Sequence, residues 1–285
     1  MIQKTERIFM SKNNKILITV GGTGGHVFPG IYLAEHLSEK NFNVEIVTDA
    51  RGYIFLQNNK SFKITTLPSS PLIKSNIFKF FYSSIFILYS IIRSIFFLIT
   101  NKPKIIFGMG GYASFPICIA ATILRIKFIL YENNLIIGKS NKYLLPYAKK
   151  IFVSYKELTG IPKKYDFKIL EIGNIIKKSI INFSKRKVDK ENHEKISLLI
   201  LGGSQAARVF AEVLPEIFQK CTNAGVTLKV YQHCLPHQAE NLKNFYNNAK
   251  IEHETFNFSH NLIEYFSKAD LAITRSGASM LAELT

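Results

Sequence analysis

Four short loops rich in glycine and small residues carry the strongest chemical signal in this sequence. They span residues 21–30 (GGTGGHVFPG), 108–116 (GMGGYASFP), 202–208 (GGSQAAR) and 275–284 (RSGASMLAEL), and each follows a strand-like run and opens a helical pattern. Backbone N–H groups in the first turn of a helix lack acceptors within the helix, and with the helix dipole behind them they bind phosphate oxygens. Because the arrangement recurs in both halves of the chain, it indicates a protein that binds phosphorylated ligands.

Apolar strand-like runs alternate with helical stretches along the chain, which predicts parallel sheets with right-handed crossovers. One series begins with KILITV at Lys15 and a second with ISLLILGG at Ile196. Both halves are therefore predicted to be doubly wound α/β units. The polar segment 183–195 lies between them and has the composition of a linker or surface loop.

The chain is strongly basic, and this indicates an anionic partner. Its 285 residues carry 37 Lys and Arg against 20 Asp and Glu, a formal net charge of +17. RNA-binding proteins place aromatic residues in basic, Gly-flanked strands or carry a compact basic helix, and the sequence has neither pattern. A nucleotide or an acidic lipid is therefore the expected partner, and nucleic acid is not.

The cysteines and histidines do not predict a metal site or a disulfide framework. Cys118, Cys221 and Cys234 are widely spaced and form no CxxC pair, which fits a reducing cytoplasm. His233, Cys234 and His237 lack a regular ligand spacing. The sequence also contains no DxD pair, so if the chain is a glycosyltransferase we expect it to act without a divalent metal.

Two other nucleotide-binding motifs are only partly matched. Gly22 and Gly24, with Asp49 after the second strand-like run, imitate the nicotinamide dinucleotide fingerprint, but Val27 stands where its third glycine is required. The GKS sequence at 138–140 lacks the leading glycine of a P-loop. We reject both alternatives.

Residues 77–100 form the most apolar segment of the chain. Lys79 and Arg93 interrupt it, and the uncharged stretch between them is shorter than the roughly 20 residues of a spanning helix. A transmembrane span is therefore not expected. Two alternatives remain open: a buried crossover helix, and a helix whose exposed face enters the membrane interface.

The loop motifs occur together with two further segments, YENN at 131–134 and GNIIK at 173–177. In their order and spacing, from about Lys15 to the last residue, these motifs closely resemble the bacterial MurG family of N-acetylglucosaminyltransferases. The resemblance implies a GT-B fold of two Rossmann-like doubly wound domains facing a cleft. It places an acceptor-binding, membrane-associating domain at 15–178, a linker at 179–195 and a UDP-N-acetylglucosamine-binding domain at 196–285.

The resemblance also implies the reaction. N-acetylglucosamine would pass with inversion from UDP-N-acetylglucosamine to the 4-hydroxyl of the muramyl residue of lipid I. The product is lipid II for peptidoglycan synthesis, made without metal or cofactor at the cytoplasmic face of the inner membrane, where the enzyme is peripheral and the anionic membrane surface is a partner. His26 is implied as the general base, with a hydrogen bond inside its loop or to a phosphate as the alternative. Glu283 is implied as the ribose ligand, with an exposed helix carboxylate as the alternative.

Further contacts are carried over position by position from the family motifs. Acceptor diphosphate contacts are implied for Gly25, Gly110, Gly111 and Tyr112, in loops that also include Gly24. Donor contacts are implied for Thr23, Gly24, Asn134, Lys177, Ser204, Gln205, Arg275, Ala278 and Glu283.

Several residues depart from the family pattern. Tyr131 and Asn133 stand where His and Gln are usual, and Ile175 and Lys177 stand where Pro and Arg are common. Ala206 and Met280 replace a glycine and a hydroxyl residue. A Cβ at Ala206 narrows backbone access to phosphate, and Lys177 lacks the bidentate geometry of a guanidinium. These changes are expected to weaken donor binding more than they alter the fold.

Family members continue beyond the acid of the last motif with further strand and helix units. The resemblance therefore predicts that the second domain is incomplete at its C-terminus, with an exposed sheet edge and part of the donor pocket missing. Two alternatives to the implied activity stay open. One is an inactive remnant or membrane-docking module, and the other is a related GT-B transferase with a different glycolipid acceptor.

Overall fold

The computed structural model describes residues 14–71, 76–184, 195–257 and 262–284, without the side chains of Ser184 and of 203–207. The chain divides into two compact units, Met1–Ile176 and Lys177–Thr285. Each unit is built on its own parallel sheet with helices between successive strands. The predicted α/β class with two doubly wound units is confirmed.

The first unit contains a seven-stranded sheet in the order β3-β2-β1-β4-β5-β6-β7. Its strands are β1 (Lys15–Thr19), β2 (Asn43–Thr48), β3 (Lys63–Thr66), β4 (Ile105–Gly108), β5 (Phe128–Glu132), β6 (Lys150–Val153) and β7 (Ile169–Glu171). Its helices are α1 (Gly24–Glu39), α2 (Ala50–Leu56), α3 (Ile77–Asn101), α4 (Ser114–Ile123) and α5 (Lys139–Leu144), with a 3-10 helix at Lys163–Lys168.

Alternate residues of each inner strand enter opposite layers of the core. On β1, Ile16 and Ile18 lie in one buried cluster, whereas Leu17 lies in the other. Successive side chains of a strand point to opposite faces, and a parallel sheet covered by helices buries both of them. This is why the strands read as continuous apolar runs rather than as alternating ones.

The direction of strand addition reverses between β1 and β4. From β1 the sheet grows through β2 and β3 on one side and through β4 to β7 on the other. In such sheets the crevice at the carboxyl ends of the two central strands is where ligands bind. Thr19 at the end of β1 aligns with Gly108 at the end of β4, so the loops that follow them begin side by side.

The second unit repeats this topology with four strands in the order β10-β9-β8-β11. Its strands are β8 (Ile196–Leu201), β9 (Leu228–His233), β10 (Glu252–Phe256) and β11 (Leu271–Thr274). Its helices are α6 (Lys178–Ser184), α7 (Gly203–Asn223), α8 (Ala239–Asn248), α9 (Leu262–Lys268) and α10 (Ala278–Leu284), with a 3-10 helix at Pro236–Gln238.

The segment predicted as a linker begins with a helix. Residues 178–184 form α6, which contacts α9 of the second unit. Residues 185–194 of the predicted linker lie outside the described part of the chain. The boundary between the two compact units lies between Ile176 and Lys177.

Helix α3 is long, apolar and largely exposed. It is the one helix among the described residues whose length and composition would allow it to cross a membrane. Its buried positions are Ser83, Ser90, Ser94 and Leu98, and the three serine hydroxyls donate to carbonyls of the preceding turn. Its exposed apolar side chains are Ile77, Phe78, Phe80, Phe81, Tyr82, Ile85, Leu88, Tyr89, Ile92, Phe96 and Ile99. Of the two alternatives left open for this segment, the buried crossover helix is therefore wrong.

A buried lysine closes the C-terminal end of α5. The Lys168 ammonium donates to the carbonyl oxygens of Leu145 at 3.0 Å, Pro146 at 2.7 Å and Ala148 at 2.8 Å. The carbonyl groups at the C-terminal end of a helix find no N–H donors within the helix, and a cation at that end also complements the helix dipole. Lys168 thus binds the 3-10 helix to the end of α5.

We predict that Lys168→Met lowers the free energy of unfolding by about 2–3 kcal/mol, because hydrogen bonds from a charged donor are lost and carbonyls are left unpaired. Chemical denaturation followed by circular dichroism measures the change. Lys163→Met is the matched control, since Lys163 is exposed on the same 3-10 helix. Equal stabilities of the two variants would contradict the assignment.

Candidate active site

Two glycine loops meet at the switch point of the first unit. The loop after β1 contains Gly24 and Gly25 in the first turn of α1, and the loop after β4 contains Gly110 and Gly111. Gly110 has a φ of +91° and Gly111 a φ of +71°, which L side chains rarely adopt. A Cβ atom added to Gly110 would lie 3.1 Å from the Cε1 atom of His26. Glycine is therefore required both for the backbone conformation and for the close approach of the imidazole ring.

His26 connects the two loops. Its ring lies against the backbone of Gly110 and Gly111, while its own backbone is in the first turn of α1. Burial lowers the pKa of His26, and the charge of Glu132 and a hydrogen bond to the backbone of Met109 oppose that shift. The lowered pKa favours the neutral imidazole at neutral pH, which is the form that can accept a proton.

Asp49 holds the base of the first loop in place. Its Oδ1 atom accepts hydrogen bonds from the backbone N–H groups of Gly52 at 2.8 Å and Gly22 at 3.2 Å. It is the N-cap of α2, and its side chain is buried. The acidic residue that imitates a dinucleotide fingerprint thus caps a helix and fixes the loop, which supports the rejection of that motif.

Arg51, which no sequence motif singled out, lies beside the loops of the candidate site. Its guanidinium lies over the ring of Tyr112, 4.3 Å from the centroid, and its Nε atom is 3.6 Å from the Oδ2 atom of Asp49. The signal that would have found it is its place just after β2, at the carboxyl edge where the glycine loops also begin.

Glu132, at the end of β5, organises the YENN segment. Its Oε1 atom accepts from the backbone N–H of Asn134 at 3.1 Å and from its Nδ2 atom at 2.7 Å. Its Oε2 atom accepts from the backbone N–H of Gly138 at 2.8 Å and from the Nδ2 atom of Asn141 at 3.0 Å. A carboxylate that accepts this many bonds fixes Asn134, which is exposed, in one orientation.

The neighbouring Asn133 connects the YENN segment to the first loop. Its Nδ2 atom donates to the carbonyl oxygen of Gly25 at 3.3 Å. The structure therefore brings together Gly25, His26, Gly110 and Gly111 directly, and it connects Asn134 to them through this segment.

Two departures from the family pattern are hydrogen-bonded to each other. The backbone N–H of Ile175 donates to the Tyr131 hydroxyl at 3.1 Å, and that hydroxyl also shares a hydrogen bond of 2.9 Å with Ser154. A proline at position 175 would have no N–H to donate. Burial raises the pKa of Tyr131, so its hydroxyl stays neutral. The GNIIK segment is thus fixed to β5 by a bond that the usual family residues cannot form in this way.

The second unit presents another pair of loops at its own switch point. Strands β8 and β11 are neighbours, so the GGSQAAR loop and the RSGASMLAEL loop begin side by side. The Oγ1 atom of Thr274 donates to the carbonyl of Leu201 at 3.1 Å and connects the two strand ends. Arg275 is exposed in the second loop, and Ala278 begins α10, which carries Glu283.

Not all of the expected donor-binding residues are described with their side chains. The side chains of Ser204 and Gln205 lie outside the described part of the structure. Lys177 is the first residue of the second unit and precedes α6. Across the described ranges, no three His, Cys, Asp or Glu side chains come close enough to hold a metal ion.

We predict that the Tyr131 hydroxyl and the Ile175 N–H are energetically coupled. Tyr131→Phe should lower the free energy of unfolding by about 1–2 kcal/mol. Ile175→Pro should lower the free energy of unfolding more than Ile175→Ala does, because alanine keeps the N–H. This difference between the two variants should shrink by about 0.5–1.5 kcal/mol when Tyr131 is also replaced by Phe. Denaturant unfolding of the full set of variants measures the coupling, and strictly additive effects would contradict it.

The comparisons with known proteins cover both units. The glycosyltransferase family 28 N-terminal domain model matches residues 16–153, and the C-terminal domain model of the same family matches residues 197–285. The Acinetobacter baumannii MurG crystal structure superposes with a TM-score of 0.68 at 22% identity, over 94% of this chain and 75% of that one.

Two curated relatives carry the name UDP-N-acetylglucosamine–N-acetylmuramyl-(pentapeptide) pyrophosphoryl-undecaprenol N-acetylglucosamine transferase. The one from Pelagibacter ubique (strain HTCC1062) is 38% identical over 272 residues, which is 95% of this chain and 74% of the relative. The one from Rickettsia felis is 33% identical over 281 residues, covering 95% of this chain and 76% of the relative. The chain therefore belongs to glycosyltransferase family 28, within the MurG family of bacterial N-acetylglucosamine transferases.

Proposed function

We propose that this chain transfers N-acetylglucosamine from UDP-N-acetylglucosamine to the 4-hydroxyl of the muramyl residue of lipid I, giving lipid II. The observation that carries the proposal is the likeness to transferases of this name over 95% of the chain, which spans both units. The paired glycine loops at two switch points agree with two diphosphate-bearing substrates, since a lipid diphosphate and a nucleotide diphosphate each need such a site.

In this proposal the first unit, extended to residue 178, binds the lipid acceptor, and residues 196–285 bind the donor. The acceptor diphosphate is assigned to Gly25, Gly110, Gly111 and Tyr112. The donor is assigned to Thr23, Gly24, Asn134, Lys177, Ser204, Gln205, Arg275, Ala278 and Glu283, with Glu283 on the ribose.

The proposed chemistry is an inverting displacement. The acceptor 4-oxygen attacks the anomeric carbon of N-acetylglucosamine while His26 takes the hydroxyl proton. The bond between that carbon and the phosphate oxygen breaks, and its electron pair leaves with UDP. Helix N-termini and cations stabilise the leaving diphosphate, so no metal is assigned a role.

Membrane attachment through α3 is part of the proposal. The face of α3 that packs against α4 carries small serines, whereas its exposed face carries aromatic and aliphatic side chains together with Lys79 and Arg93. In water this distribution leaves a large apolar surface uncovered. At an anionic membrane it is favourable, because the apolar side chains enter the interface and the cations meet lipid headgroups. This agrees with a peripheral enzyme at the cytoplasmic face of the membrane that holds its lipid substrate.

A transfer assay with several lipid-linked acceptors tests the function. The proposal predicts a disaccharide product with the muramyl lipid acceptor and release of UDP, unaffected by a metal chelator. Transfer to another glycolipid in preference would identify a related transferase. A folded chain that binds vesicles but makes no product would identify a docking module or remnant.

We predict that His26 governs the acid side of the pH dependence. Since the base must be neutral and burial lowers the pKa of His26, kcat/KM should fall only below pH about 6.5, the ordinary value of histidine. His26→Asn should lower kcat by about 10²–10⁴-fold and remove this acid limb. The matched control is His36→Asn, an exposed histidine on the same helix, which should leave kcat unchanged. An acid limb that persists in His26→Asn would assign the base to another group.

We also predict that the exposed face of α3 controls vesicle binding. Replacing Phe78, Phe81 and Ile85 by serine should weaken binding to phosphatidylglycerol vesicles by about a hundredfold or more, because each apolar side chain contributes about 1.5–3 kcal/mol. The control replaces Val209, Val213 and Ile217, three exposed apolar residues of α7, by serine. Co-sedimentation measures both, and equal binding of the two triple variants would contradict attachment through α3.

A further inference from the structure

We propose that Arg51 is a binding residue for the acceptor and supplies the cation that neutralises its diphosphate at the switch point of the first unit. This inference rests on the proposed function, because it assumes that the acceptor diphosphate lies in the loops after β1 and β4. It adds a residue from α2, an element outside both loops.

The position of Arg51 bridges the two loops. Its guanidinium covers the ring of Tyr112 in the loop after β4, 4.3 Å from the centroid. A Cβ atom added to Gly22, in the loop after β1, would lie 3.1 Å from the Nη2 atom of Arg51. Gly22 has a φ of +81°, so a residue with a side chain there would be strained as well as crowded against the guanidinium. The guanidinium thus lies beside both of the loops that are proposed to hold the diphosphate.

The orientation of the guanidinium is fixed on two sides. The ring of Tyr112 lies against the guanidinium on one side, and the Oδ2 atom of Asp49 lies 3.6 Å from its Nε atom. Half of the Arg51 side chain, 51%, stays exposed. A planar guanidinium held by one face and one edge presents its remaining N–H groups as a fork, which matches two oxygens of a phosphate.

The charge of the ligand requires such a group. A diphosphate ester carries at least two negative charges, and neither glycine loop, at 21–26 or 108–114, contains a lysine or arginine. Backbone N–H groups and helix dipoles supply only partial positive charge. The Asp49 carboxylate faces only the Nε edge of Arg51, at 3.6 Å, and its Oδ1 atom accepts from the N–H groups of Gly22 and Gly52. Arg51 is therefore the full positive charge that the described contacts place against these loops.

The test compares Arg51→Met and Arg51→Lys with the unchanged chain. Calorimetry measures the binding of geranyl diphosphate, a soluble prenyl diphosphate, with UDP at saturating concentration to occupy the donor site. Kinetics measure KM for the lipid acceptor and for UDP-N-acetylglucosamine. The matched control is Arg125→Met, because Arg125 is exposed and precedes β5 at the opposite, amino edge of the sheet. Thermal unfolding of each variant establishes that it is folded, and Arg51→Lys preserves the charge should Arg51→Met not fold.

We expect Arg51→Met to raise the Kd of geranyl diphosphate and the KM of the lipid acceptor at least tenfold. Arg51→Lys should show a smaller increase in both. In both variants the KM for UDP-N-acetylglucosamine should stay within about twofold of its value in the unchanged chain. Arg125→Met should have the same Kd and KM values as the unchanged chain. Unchanged values in a folded Arg51→Met, or no binding of geranyl diphosphate by the parent chain, would overturn the role of Arg51.

Failure of the proposed function would look different. If the parent chain transfers no sugar to a muramyl lipid but binds geranyl diphosphate in a manner that depends on Arg51, the assigned reaction is wrong and the diphosphate site stands. If the parent chain transfers the sugar and Arg51→Met keeps the same acceptor KM and Kd, the reaction stands and the role of Arg51 is refuted.

Discussion

The parallel pairing of β1 with β4 is the constraint on which the rest of the first unit depends. Thr19 aligns with Gly108, so the loops that follow β1 and β4 begin side by side. This is the point at which the strand order reverses. The crevice between them is open only if the loops are small, which is why Gly110 and Gly111 adopt positive φ against the ring of His26. In the second unit the parallel β8–β11 pair places two loops side by side in the same way. In the proposed function, this arrangement of paired strands and loops, present in both units, provides one site for each of the two diphosphates.

Much of this arrangement could be predicted from sequence, because it depends on local patterns. Buried parallel strands read as short apolar runs, such as KILIT of β1 and ISLLIL of β8, and the glycines that follow them mark the turns into α1 and α7. The order of these elements was sufficient to predict the α/β class and the glycine loops. The roles of single residues inside the loops remain predictions, since they concern ligands.

The rest depends on contacts between residues that are distant in sequence. Nothing local indicates that Arg51 stacks on Tyr112, or that the Tyr131 hydroxyl accepts from the N–H of Ile175, because both pairs are brought together by the strand order. The sequence left two alternatives open for helix α3 for a related reason. Its apolar residues cover most of the helix surface, so the hydrophobic pattern does not say which face is buried. The small serines mark the buried face, which contacts α4.

The most direct test of the central claim is to locate the two substrates by amide hydrogen exchange. A short-chain analogue of the lipid-linked muramyl acceptor should slow exchange in residues 21–26 and 108–114, because the diphosphate would cover their N–H groups. UDP-N-acetylglucosamine should slow exchange in residues 202–208 and 275–284, and in the first pair of loops only at Thr23 and Gly24, which the proposal also assigns to the donor. Protection of the second pair of loops by the acceptor, or of neither pair by either ligand, would contradict the assignment of one diphosphate to each switch point.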